Sequence, residues 1–351
     1  MAQRLTIKQI AELSGVSVGT VDRILHNRGM VSQAAMDAVS AVLKDKKYEY
    51  NIHTSAVAFK KTKKVFNIII SIPLSEKGEY WDLIKDGIER GLSEYNDISV
   101  NSRFIFFDQF DSYSCKAAFD EIAEADFSAG IFGTTFAEET RALSRELDNR
   151  HIPYVFVDGK IDGTKPVATF SANQTACGRL LAHLISMLTP CGSEIGVLLP
   201  RRKGTQMSTN SRIRLEAFKD YFAEIGKDTV LKEVLFSTEG REKTREDISS
   251  FIKGNPGVRG MAVVISNGYL IADALAESGH KDICLGGFDV TDGNVRSVRD
   301  GGIDFLINQH PDQQGFAAVE ATLHYLLYGA IDSGMLKDIP VDIVVKENLP
   351  Y

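Results

Sequence analysis

Cysteine is scarce in this chain: four in 351 residues, at Cys115, Cys177, Cys191 and Cys284, with no Cys-x-x-Cys spacing. That scatter excludes a disulfide framework and a thiolate metal site, and each thiol, set among apolar neighbours, is expected to be free and buried. Long apolar runs are missing too. The best candidates, such as Phe66 to Ile72 with its interrupting Asn67 and Ser71, have the length of a strand. A bilayer span needs roughly 20 apolar residues, so no membrane segment is expected. No apolar leader opens the chain, and a cytoplasmic location is the expectation. Catalytic signatures are also wanting: there is no phosphate loop and no His-Glu-x-x-His. The seven His are dispersed, with His26 and His53 near the front and His310 far downstream, and Gly286, Gly287, Gly301 and Gly302 make no dinucleotide fingerprint. Neither an enzyme nor a bound cofactor or metal is expected.

What is present begins with charge. The chain has 40 basic and 47 acidic side chains, a net of −7. Up to Lys64 there are 11 basic and 5 acidic groups, a net of +6, which leaves −13 for the remainder. An acidic protein with a basic head carries the electrostatic footprint of phosphate binding. The head also has a pattern. Thr6 with Gln9 is a capping box, and Ile7, Ile10, Ala11 and Leu13 mark one face of a helix. Gly15 permits a tight turn. Ser17 caps a second helix that buries Val21, Ile24 and Leu25 and leaves Val18, Gly19, Asp22 and Arg23 outward. A third helix, capped by Ser32, offers Ala35, Met36, Val39, Val42 and Leu43 to a small core. Two helices joined by a short Gly-containing turn form a helix-turn-helix, whose second helix enters a major groove. A head that docks protein is the bland alternative.

The run Thr-Ile-x-x-Ile-Ala-x-x-Ser-Gly-Val-Ser-x-x-Thr-Val-x-Arg-x-Leu resembles the headpiece of the lactose-repressor (LacI/GalR) family of bacterial transcription regulators, over Leu5 to about Lys61. The resemblance implies base reading by Val18, Gly19 and Arg23, and phosphate contacts near Thr6, Ser17, Thr20, Asn27 and Ser32. Asp22 departs from the family, which usually has Ser there; a carboxylate is unfavourable near phosphate but can accept from a cytosine amino group. Residues 51–64 correspond to a hinge helix that wedges an apolar side chain into the minor groove. The usual Leu is absent, and Val57 or Phe59 must serve. A flexible basic linker is the competing reading.

From Phe66 short β-branched strands alternate with helix-length segments, which implies βαβ units and parallel sheets. Two sets of about five strands suggest two similar lobes, with ligand lying outside the carboxyl ends of the strands. The expected fold is an all-α helix-turn-helix headpiece plus an α/β two-lobed core of the periplasmic-binding-protein-like (type I) class. The domains are 1–50 (head), 51–64 (hinge) and 65–351 (core). One lobe takes about 65–168 and 309–339, the other about 169–308 and 340–351. Strand-end loops supply candidate ligand residues. Tyr80 and Trp81 fall where related proteins stack an aromatic on a sugar ring, against a core-packed Trp as the alternative. Asp158 matches a sugar-hydroxyl acceptor, or is simply a turn-forming Asp-Gly. One of Arg212 and Arg214 is expected to present its planar fork to ligand, while Arg201, Arg202 and Lys203 read as a solvated basic face. Asn267 matches half of the family's Asn-Asp pair, the carboxylate being lost at Gly268; Asp289 and Gln309 match its ligand-binding Asp and Gln.

These features imply a ligand-responsive DNA-binding regulator, a repressor, that senses a sugar or related polyhydroxyl metabolite. Its expected partners are a pseudo-palindromic double-stranded operator and further copies of itself, as a homodimer or higher assembly. The rival readings are a solute-binding protein without DNA function and a sugar-modifying enzyme.

Overall fold

The computed structural model of the chain describes residues 7–25, 31–45, 65–204, 207–226, 229–331, 333–336 and 338–349. Three helices form the head: α1 (Ile7–Ser14), α2 (Val18–Leu25) and α3 (Gln33–Asp45). Gly15 turns the chain between the first two with φ of 68°, a conformation that costs glycine little. The Ser17 hydroxyl accepts the Thr20 N–H at 3.1 Å, and the Ser32 hydroxyl accepts that of Ala35 at 3.3 Å, so both serines cap helices. Ile10, Ala11, Val21 and Val39 close the core, with Ile7, Val16, Ile24 and Val42 packed against them. Leu13 and Met36 do not join it; both are exposed. At about 100° per residue each sits at the margin of its apolar stripe, beyond the reach of so small a core. Thr6, Asn27, Val57, Phe59 and the whole of 51–64 lie outside the described residues, as do the side chains of Asp22, Leu25 and Leu43.

The core begins with β1 (Phe66–Pro73), α4 (Tyr80–Glu94), β2 (Val100–Phe107), α5 (Ser112–Glu124), β3 (Ala129–Gly133), α6 (Ala137–Asn149), β4 (Tyr154–Val157) and β5 (Ala168–Phe170). These five strands form one parallel sheet in the order β2-β1-β3-β4-β5. There follow α7 (Gln174–Leu188), β6 (Glu194–Pro200), α8 (Thr209–Ile225), β7 (Val230–Phe236), α9 (Arg241–Gly254), β8 (Val258–Val263), α10 (Gly268–Glu277), β9 (Cys284–Phe288), α11 (Asp292–Arg299) and β10 (Phe305–Asn308). Helix α12 (Pro311–Tyr328) returns to the first lobe and packs on α4, and β11 (Asp342–Val344) comes back to the second. The second sheet runs β11-β10-β9-β8-β6-β7, with only β11 antiparallel. Three chain crossings therefore join the lobes. The first falls after Phe170, because Ala168, Thr169 and Phe170 pair with β4 in the first sheet.

Cores of Ile, Val, Leu and Phe lie on both faces of each sheet, as parallel sheets require. Of the four thiols Cys115 and Cys177 are buried, but Cys191, on the turn after α7, is exposed and Cys284 is half-buried. Among the described residues no helix is long and apolar enough to cross a membrane.

Candidate functional site: a polar cleft between the lobes

The carboxyl ends of the strands in both sheets face each other across a cleft of about 430 Å³. This lies within the size range of small-molecule pockets, and at the end of the sheets where open α/β folds bind ligands. A second cavity, of about 580 Å³, reaches the amino ends of β9 and β10 at Cys284 and Asp304 and belongs to the outer surface of one lobe. The inter-lobe cleft is the better site.

Its floor is a buried polar array. Asp158 follows β4 and Asp289 follows β9, at corresponding places in the two lobes. Both hold left-handed backbones, φ 78° and 66°. Aspartate tolerates this region better than most residues, and non-glycine residues kept there mark places where the surroundings fix the backbone. The Asp158 N–H donates to the Gln314 amide oxygen at 3.0 Å, and its carboxylate accepts the Tyr80 hydroxyl at 2.6 Å. Asp289, with no exposure at all, accepts from the Ser266 hydroxyl at 2.6 Å, from Gln309 Nε2 at 2.9 Å and from the Gln309 backbone at 3.1 Å. Burial pushes its carboxyl up to about 6, against the pull of Ser266, Arg214 and Gln309. Burial likewise raises Asp158, and lifts the Tyr80 phenol well above its ordinary value.

Arg214 links these groups. Its Nε donates to Gln174 Oε1 at 2.7 Å, one terminal nitrogen to the Val264 carbonyl at 2.7 Å, and the other to Gln309 Oε1 at 2.6 Å. The guanidinium also lies over the Phe288 ring, 4.0 Å from its centroid. A planar fork can satisfy three acceptors at once in a way an ammonium cannot. Arg212, two residues earlier on α8, faces solvent and pairs with Glu216. Two helical positions differ by about 200°, so only one of these arginines can reach the cleft, and it is Arg214.

The cleft brings Tyr80, Trp81, Asp158, Arg214, Asn267 and Gln309 together on its lining, with Asp289 directly behind. Trp81 is buried and donates Nε1 to Gln109 Oε1 at 3.1 Å, and its ring stands edge-on to Tyr80, so it packs and lines at once. Asn267 reaches across the lobes to Glu79 at 3.3 Å. Sequence reasoning missed Gln174, Asn210, Gln314, Glu79, Gln109 and Arg202. Asn210 was within reach, since it precedes Arg214 by four residues on α8 and so shares its face. Its amide donates to the Asp158 carbonyl at 3.0 Å. Arg202, expected on a solvated face, instead lines the cleft.

Several bonds tie the lobes face to face: Lys203 N–H to the Phe110 carbonyl at 2.8 Å, Ser112 N–H to the Lys203 carbonyl at 3.2 Å, and Asp292 N–H to the Gly78 carbonyl at 3.1 Å. Among the described residues no group of His, Cys, Asp or Glu stands together as a metal site. The lining amides, carboxylates and guanidinium suit a ligand that both donates and accepts hydrogen bonds. In the head, Val18, Gly19 and Arg23 are exposed on α2, and Thr20 is half-buried beside Ser17.

Comparison with known proteins follows the same division. Residues 68–330 match the family described as periplasmic binding protein domain, and residues 6–51 match that of bacterial regulatory proteins, lacI family. The xylose/arabinose-binding protein XylF of Sulfolobus acidocaldarius is 26% identical over 185 residues, 50% of this chain and 44% of that protein. The HTH-type transcriptional regulator TreR of Escherichia coli is 34% identical over 105 residues, 30% of this chain and 32% of that one. The chain thus spans less than half the length of these curated relatives. A crystal structure described as a LacI transcriptional regulator from Bacteroides fragilis superposes with a TM-score of 0.76 at 24% identity, over 81% of this chain and 98% of the other. That likeness shows the fold.

Proposed function

This chain belongs to the periplasmic binding protein domain family, with a lacI-family head in front of the core, and from that premise we propose a ligand-responsive DNA-binding transcriptional regulator, acting as a repressor. Its effector is a sugar or related polyhydroxyl compound held between the lobes. The observation that carries this reading is the Asp158–Arg214–Gln309–Asp289 array buried at the cleft floor. Buried carboxylates and amides are costly without partners, and vicinal hydroxyls are the ligand groups that both donate to such acids and accept from such amides.

Arg23 is outward on α2 and Val21 faces inward, which supports α2 as the helix that enters a major groove. One head makes too few contacts for tight binding, so a homodimer on a pseudo-palindrome is the working unit, inside the cytoplasm. Ligand favours one arrangement of the lobes, and that choice alters the placement of the two heads. Residues 51–64, with Val57 or Phe59, are assigned the hinge role, and Thr6, Ser17, Thr20, Asn27 and Ser32 the phosphate contacts. The test has two halves. A thermal-shift screen of the full chain against mono- and disaccharides, sugar acids and polyols identifies the effector. Selection from a random duplex pool yields the operator, and the effector is then added. Saturable stabilisation and an effector-dependent change in DNA affinity are expected. A chain that binds sugars but selects no DNA sequence would be a solute-binding protein instead.

A further inference from the structure

Arg202 stands apart from the other charged groups of the cleft. The loop after β6 carries it from the second lobe to the first, where one terminal nitrogen donates to the Gln109 carbonyl. Its guanidinium lies 5.2 Å from the Phe110 ring centroid and 5.7 Å from that of Phe136. Its Nε is buried and has no hydrogen-bond partner. Among the described residues no carboxylate pairs with it. Its neighbours are answered: Arg201 bonds Asp247 through both terminal nitrogens, Arg241 pairs with Asp273, and Arg214 spends its fork on Gln174, Val264 and Gln309. Three acids at the cleft are answered as well: Asp158 by Tyr80, Asp289 by Ser266 and Gln309, and Glu79 by Asn267. Among the described arginines that line the cleft, Arg202 is the one with a buried N–H left without an acceptor.

A guanidinium has five N–H donors, and leaving them desolvated and unmatched is expensive. The cost is visible in its acidity, since burial pulls Arg202 down to about 10 although Asp158 and Asp108 pull the other way. The same wall bears the first turn of α8, a helix of 17 residues whose Ser208 and Ser211 line the cleft. A helix start adds positive potential there. Resting on the sugar-type reading above, we propose that the effector is an anionic sugar derivative, and that Arg202 binds its carboxylate or phosphate. An oxyanion is the group whose geometry matches the open side of a guanidinium.

The experiment pairs each neutral monosaccharide with its aldonate, its uronate and its sugar phosphate, and measures binding calorimetrically to the full chain, to Arg202→Gln and to Arg202→Lys. A charge-assisted contact predicts that one anionic member binds the wild type about tenfold or more tighter than its neutral parent. Arg202→Gln should bring that preference ratio close to one, Arg202→Lys should keep part of it, and added salt should weaken the anion selectively. The carboxylate and phosphate arms tell which oxyanion is meant. A neutral parent that binds as well as its anionic forms would overturn the proposal while leaving the sugar reading intact. So would an Arg202→Gln variant that weakens both members equally, which would make Arg202 a strut between the lobes. If no polyhydroxyl compound of either charge binds, both readings fall. Circular dichroism and melting of each variant confirm that it is folded, and Arg202→Lys stands in if Arg202→Gln is not.

Discussion

At the level of single residues, helical phase decided what the sequence could reveal. Arg212 and Arg214 are equivalent in composition, and only the observed face separates them. Arg202 was illegible because an Arg-Arg-Lys run has the composition of a solvated surface, and nothing local says that Gln109 and Phe110 of the other lobe cover it. The acid at Asp289 could be placed at a strand end, but its three donors could not. Those donors lead to predictions. Arg214→Lys keeps the charge but leaves Gln174, Val264 and Gln309 short of donors, so it should destabilise the core by about 3 kcal/mol and abolish effector binding. Urea denaturation and calorimetry check both. Asp289 has a folded-state value of about 6 against an ordinary 3.8, so the folded protein holds this proton more tightly than the unfolded chain. The protonated form thus favours folding, and stability should fall as pH rises from about 4 to 6, by up to about 3 kcal/mol for this group. Most paired carboxylates contribute with the opposite sign. The difference between wild type and Asp289→Asn isolates the effect, and denaturation midpoints that diverge only above pH 7 would contradict it. In the head, Arg23 is outward on α2 and can bond guanine through O6 and N7, a contact worth about 1–3 kcal/mol. Arg23→Ala should therefore lose more affinity for the selected operator than for random duplex, as fluorescence anisotropy at one salt concentration will show. Equal loss on both would make Arg23 a phosphate contact.

Among elements, strands of four residues or more were legible from their β-branched runs, and β5 and β11 were not. Each has three residues, too few for a period, and each is specified by the neighbour it pairs with: Val155 to Val157 for β5, Leu306 to Asn308 for β11. Leu13 and Met36 failed for the complementary reason. Periodicity reports a stripe, but not how wide the partner surface is. The packing of α4 on α12 shows how an element far apart in sequence shapes the site. A Cβ on Gly87 would overlap the backbone of Asp312, and a Cβ on Gly315 would overlap the Ile84 carbonyl, so the two helices touch main chain to main chain. Gln314, next to Gly315, holds the Asp158 N–H and donates its amide to the Gln309 carbonyl at 3.0 Å. Gly315→Ala should push α12 away, cost about 1–3 kcal/mol or more, and weaken effector binding through Gln314 although it touches no ligand. A melting temperature unchanged from wild type would mean that the helices have room to spare.

For the molecule as a whole, the proposed function makes the lobes and the head one thermodynamic system. Lys203 on Phe110, Ser112 on Lys203, Asp292 on Gly78 and Asn267 on Glu79 all cross between lobes, so opening the cleft must break them together. A ligand that bridges the Asp158 and Asp289 ends adds to that set and shifts the balance toward the closed form. If that shift alters DNA affinity by some factor, DNA must alter effector affinity by the same factor, because coupling free energy is reciprocal. The DNA side is electrostatic: 11 basic against 5 acidic groups up to Lys64 must displace counterions, so log affinity should fall steeply and linearly with log salt. The effector side is governed by the buried array and should respond to salt far less, apart from any contact to Arg202. Titrating effector into the free protein and into its operator complex, at two salt concentrations, separates these contributions. Within each salt concentration the ratio of effector dissociation constants should equal the ratio of DNA dissociation constants measured with and without effector. Equal effector affinity for the free and DNA-bound protein, alongside an effector-dependent DNA affinity, would break the cycle and show that the two measurements report different assembly states. Agreement would tie the cleft between the lobes to the helices that precede it.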